Sequence, residues 1–212
     1  MRMPEANADF ENAPEGNHPA RCYRVADLGT QEKKFKGEIT GVAPRILITW
    51  EIVTEMMADG RPFSISNFYT FSSNPKSNLV RDLSSWRGKP FEPSELGANG
   101  FDLSKLLGVG CLLNIVHATT GTGTYANIAA VTRPPKGLEI AALTNPQVMF
   151  DLSNFNQATY DSFGDGLKTM IARSPEYQAM FAIPDEPQRV PQGLTGESIE
   201  HSEPDFDDDI PF

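Results

Sequence analysis

The sequence predicts a mainly β fold: a five-stranded barrel with one helix between the third and fourth strands, then a small helical extension and an acidic tail. Three observations carry that expectation. The segments 45–55 and 62–71 alternate apolar and polar residues and are joined by Asp59-Gly60, a strong hairpin signal. The period then switches to a helical stripe at 77–88. Seventeen prolines and seventeen glycines punctuate the chain as turns do in β-rich proteins.

In order, residues 1–17 read as a polar, disordered arm, and "ARCYRVADL" as the first strand. "GTQEKKFKGEITG" follows as a polar connection with glycine stops. In "RILITWEIVTE", Ile46, Ile48, Trp50 and Ile52 share one face while Arg45, Thr49 and Glu51 share the other, which predicts a half-buried strand. The returning strand "PFSISNFYTF" places Phe63, Ile65, Tyr69 and Phe71 on the core face, and Ser64, Ser66, Phe68 and Thr70 on the opposite one. Ser77 then caps a helix whose stripe is Leu79, Leu83 and Trp86, stopped by Gly88. "FDLSKLLG" reads as one or two further helical turns, and "CLLNIVHA" and "TYANIAAV" as a hairpin about "TTGTG". Three strands, a helix and two strands over residues 18–140 is the order of the OB-fold, a Greek-key barrel. Residues 141–182 predict a helical extension, with "DGLKTMIARS" helical and Ser174-Pro175 starting another helix. Residues 183–212 read as a disordered acidic tail.

The net charge of −10 is unevenly placed. Residues 1–17 carry −3, residues 18–140 carry +3 from fourteen basic and eleven acidic side chains, and residues 141–212 carry −10. A basic middle joined to an acidic end suits two parts with different partners. No run approaches eighteen apolar residues and no leader pattern opens the chain, so a cytoplasmic protein without a membrane partner is expected. The cysteines are Cys22 and Cys111 and the histidines His18, His117 and His201, without CxxC or HxxxH spacing; neither a disulfide framework nor a metal site is expected. No nucleophile motif, phosphate-cradling loop or paired carboxylates appear, and "GTGTYA" lies in a hairpin, so neither catalysis nor a cofactor is expected.

Binding is the better-supported chemistry. Single strands are held by basic residues along phosphates and by aromatic rings under bases. The candidates are Lys33, Lys34, Phe35 and Lys36 in the first connection, Arg45 and Arg61 near strand ends, Phe68, and Tyr125 in the last hairpin. Trp50, Phe63, Tyr69, Phe71 and Trp86 fall in phase with aliphatic neighbours and read as core. Phe68 stands among small polar residues, so it is either capped by another element or left for a ligand; Phe35 and its lysines could equally anchor a loop or face solvent.

The last eight residues, Asp205, Phe206, Asp207, Asp208, Asp209, Ile210, Pro211 and Phe212, join an acidic run to an apolar end. Acids favour a basic surround, while the ring and Ile210 suit small apolar pockets. "DFDDDIPF" resembles the C-terminal tip of bacterial single-stranded DNA-binding proteins. "ITWEIVTE", "GRPFSISNFYTFS", "SWRGKPF" and "FDLSKLLG" resemble bacteriophage OB-fold single-stranded DNA-binding proteins, over residues 18–182. The resemblance implies a role in DNA replication, recombination or repair in a bacterial host's cytoplasm, with the tip recruiting replication and repair proteins. A strand-annealing or recombination-mediator protein and a protein-only adaptor are the alternatives. A homo-oligomer is compatible with one barrel per chain.

Overall fold

A computed structural model of the chain describes residues 11–35, 37–96, 100–121 and 123–182, with the side chains of residues 34 and 35 excepted. It is mainly β. Strands β1 (Gly16–Phe35), β2 (Glu38–Met56), β3 (Pro62–Thr70), β4 (Gly110–Thr120) and β5 (Gly123–Thr132) form one sheet in the order β3-β2-β1-β4-β5. A short β6 (Val148–Phe150) pairs parallel with β1, whereas the other pairings are antiparallel. No ladder joins β3 to β5 among the described residues, so the sheet is not closed by hydrogen bonds.

The first two strands run much further than expected. The segment read as a connection continues both strands into a ribbon in which Lys33 opposes Gly41 and Phe35 opposes Glu38. Its polar composition hid strands whose outer ends have no core to face. Register shifts at Cys22/Arg24 and Asp27/Thr30 bend β1. Gly16–Arg21 can therefore pair with β4, while Arg24–Ala26 pairs with β6. Residues 11–17 are also less loose than their composition suggests. Ala13 is buried, its carbonyl lies 2.8 Å from His117 Nε2, and Glu15 accepts the His117 amide.

Helix α1 (Asn78–Arg87) begins where Ser77 accepts the Val80 amide and ends at Gly88, whose φ of 76° suits a residue without a Cβ. It buries Leu79, Leu83 and Trp86 against the inner face of the sheet, and Val80 is buried as well. There Trp86 meets Trp50 with ring centroids 5.8 Å apart and donates to the Gly110 carbonyl. Tyr69 donates to Asp82, and burial pushes its phenol well above the usual range. Phe71 departs from the expected core face and is 51% exposed, because β3 ends at Thr70 and the chain turns away after the Phe71 amide meets the Pro44 carbonyl. "FDLSKLLG" supplies one 3-10 turn, Leu103–Leu106.

Strand β2 is buried on both faces, not one. Ile46 through Ile52 are covered without interruption because residues 138–181 pack on the outer side. A second core forms there from Ala26, Leu28, Leu47, Phe150, Phe163 and Ile171. Phe150 meets Phe155 and Phe163 edge-on at 5.7 and 5.2 Å. The extension adds α2 (Gln157–Asp161), which the sequence did not announce, to the expected α3 (Asp165–Ala172) and α4 (Pro175–Phe181). Ser174 accepts the Tyr177 amide at the start of α4, and Gly29 permits the approach: a Cβ there would stand 2.5 Å from Ser174 Cβ. Two charged groups pin the strap leading into this layer. Arg21 donates to the carbonyls of Gly108, Ile140 and Ala141, while Glu51 accepts from the amides of Thr144 and Asn145 and from Asn145 Nδ2. No helix among the described residues is long and apolar enough to cross a membrane.

Candidate nucleic-acid interface

The outer face of β1–β3 divides into a covered and an open part. Rows across it follow from the register: Ala26–Leu47–Phe68, and Arg24–Thr49–Ser66. The extension seals the β1 and β2 members of the first row, whereas on β3 Ser64, Ser66 and Phe68 remain exposed. Phe68 is 42% exposed, far more than an aromatic ring on a sheet face retains when another element caps it.

Arg45 and Phe68, both picked from sequence, come together here. The Arg45 guanidinium carbon lies 5.7 Å from the Phe68 ring centroid. Arg24 lies 5.4 Å from Phe163 and 5.3 Å from Tyr23, and the Tyr23 hydroxyl donates to Ser64 Oγ. Thr49 Oγ1 and Ser66 Oγ share a hydrogen bond of 2.9 Å. Two groupings result: Arg45 with the exposed ring of Phe68, and Arg24 with the buried rings of Tyr23 and Phe163. Arg24 and Tyr23 escaped the sequence reading because the bulge between Cys22 and Arg24 puts consecutive residues on one face. Strict alternation would have sent one of them inward.

Hydrogen-bond accounting separates the two arginines from their surroundings. The Nε atoms of Arg24 and Arg45 are buried and have no partner among the described residues. A buried N–H without an acceptor costs about 1–3 kcal/mol, and both arginines are half-buried residues. Trp50 Nε1 shares that condition but sits in a residue 1% exposed, beyond a ligand's reach. Phosphate oxygens could meet the two guanidiniums, and a base could stack on Phe68.

The remaining candidates lie elsewhere. Arg61 sits at the turn end of β3 and is held by Asp59 through bonds of 2.8 and 2.6 Å; the same contact keeps the Asp59 carboxyl below its usual range. Tyr125 stands opposite Ala118 on the β4–β5 hairpin and is 46% exposed. Lys33 is exposed on the ribbon. The side chains of Lys34 and Phe35, the whole of Lys36 and the tip at 205–212 lie outside the described residues. Among the described residues, no group of three or more His, Cys, Asp or Glu could hold a metal ion.

Comparison with known protein families finds no family model that matches the chain, and comparison with curated proteins finds no match.

Proposed function

We propose that the chain binds single-stranded DNA without sequence preference along the open outer face of β2 and β3. The observation that carries this reading is the half-buried Arg45 guanidinium 5.7 Å from the exposed ring of Phe68. The strand order, with α1 between β3 and β4, supports an OB-fold, whose usual ligand face is this one. In this reading Arg24, Arg45 and Lys33 follow the phosphates, and Phe68 stacks a base. The protein would act in phage DNA replication or recombination, as the resemblance implies, while Asp205–Phe212 recruits replication and repair proteins.

Fluorescence anisotropy with oligo-dT at two salt concentrations tests the reading. Affinity is expected to fall steeply with salt. Loss of one stacked base in Phe68→Ala is expected to weaken binding roughly tenfold, within the ~1–3 kcal/mol that stacking contributes. Absence of salt-sensitive binding would leave the protein-only adaptor. Oligo-rU in the same assay reports the choice between DNA and RNA, because stacking and phosphate contacts do not read the 2′-hydroxyl. Acceleration of complementary-strand pairing would instead favour the annealing protein. The polyanionic tail should compete weakly for the same cations, so removing residues 203–212 is expected to tighten binding at low salt.

A further inference from the structure

The most characteristic stretches of the resemblance, "SWRGKPF" and "FDLSKLLG", play no part in the β2–β3 face. They fold instead into the wall of a concave site of about 520 Å3 between the end of α1, the 3-10 turn and the ends of β4 and β5. Its floor is apolar: Leu83, Trp86 and Leu106, with Phe91 and Phe101 half-buried above them. The two phenylalanine rings meet edge-on at 5.4 Å. Arg87 lies over Phe91 at 4.3 Å and is fixed there by Glu95, through bonds of 2.8 and 3.1 Å.

The rim is cationic. Lys89, Lys105 and Arg133 line the site, are exposed, and make no ion pair among the described residues. Among the described residues no carboxylate lines it, although Glu95 and Asp102 lie near enough to Lys89 and Lys105 to interact with them. Gly88 brings Arg133 close across the mouth, since a Cβ there would stand 3.0 Å from Arg133 Cδ. Aromatic surface below and exposed cations above suit a ligand that alternates flat apolar groups with anionic ones.

We infer that this site takes a second segment of the same single strand, with a base against Phe91 and Phe101 and flanking phosphates on Lys89, Lys105 and Arg133. The inference rests on the DNA reading above and extends it: the bound strand would be longer than the β2–β3 face alone can hold. Charge complementarity selects a polyanion, and the ring pair at the floor selects one that carries bases.

Photo-cross-linking of the full chain to oligo-dT, followed by peptide mapping, reads the contact directly. An adduct within residues 89–105 is expected beside one on the β3 segment that carries Phe68. Adducts confined to β1–β3 overturn the inference and leave the DNA reading standing, whereas an unmodified protein that shows no DNA binding overturns both. A variant with Lys89→Gln, Lys105→Gln and Arg133→Gln gives the second measurement. Against an oligonucleotide of ~30 residues, its log–log salt slope should flatten by about two, near 0.7 per lost phosphate contact. Against one of ~6 residues, shorter than most single-barrel sites, it should bind as the unaltered chain does. Unchanged slopes at both lengths contradict the inference. Unchanged slopes together with lost binding of a peptide of sequence 203–212 would assign the site to an acidic protein segment instead.

Discussion

Arg45 and Glu51 stand on one face of one strand, and their polar atoms meet opposite fates. Glu51 lies in the covered half, 1% exposed, and both its oxygens are satisfied by the strap at Thr144 and Asn145. Arg45 lies in the open half, with a buried Nε that has no acceptor among the described residues. A charge whose bonds are complete holds the fold together, whereas one left incomplete beside an exposed ring is available to a ligand. The covered half should therefore respond to substitution in stability, and the open half in affinity.

The largest effect is expected at Phe150, the centre of the outer core. Phe150→Ala should lower unfolding free energy by about 4 kcal/mol in urea titration, since it removes a fully buried ring and its edge-on partners. Next comes Glu51→Ala, which strands three donors and should cost about 3 kcal/mol. Where either variant remains folded, its affinity for oligo-dT should match the unaltered chain; a large loss of affinity would erase the distinction between the halves. Phe68→Ala gives the reverse pattern, with stability changed by less than about 0.5 kcal/mol and the roughly tenfold loss of affinity stated above.

A smaller effect concerns the wall of the α1 site. The Arg87 guanidinium, with the Glu92 amide, draws the Glu95 carboxyl down from 4.5 to about 2. Because the folded value lies below the unfolded one, this contribution to stability is present above about pH 4.5 and is lost as the pH falls towards 2. Urea midpoints of the unaltered chain and of Glu95→Gln should thus differ at neutral pH and converge in acid. A gap that persists at pH 2 would argue against the pair. The least change is expected at the thiols. Burial pushes Cys22 up to about 12 and Cys111 well above its usual range, so neither should react with a disulfide reagent at pH 8 until the protein unfolds.

The legible parts of the molecule were those whose signals are local. Ser77 and Gly88 bound α1 because a hydroxyl acceptor and a left-handed residue each satisfy orphaned backbone groups within one turn. Asp59-Gly60 turns the chain for the same kind of reason. Phe68 could be singled out because its neighbours in phase are small and polar, although its exposure could not. The ribbon was misread because polar side chains on a solvated two-stranded extension look like loop. The double burial of β2 was misread because Thr49 and Glu51 resemble a wet face until their partners, Ser66 and Asn145, are known.

By itself the sequence determined the order of the first five strands and α1, the inner faces of β2 and β3, and the separation of a basic middle from an acidic end. Periodicity, caps and charge are properties of neighbours along the chain. Only the tertiary structure decided which half of the outer face remains open, because that depends on where a segment about a hundred residues later comes to rest. It also decided that Tyr23 and Arg24 share the outer face, through a bulge whose register no periodicity encodes. Long-range packing chooses which exposed chemistry survives folding, and in this chain it left the Phe68 ring open beside Arg45.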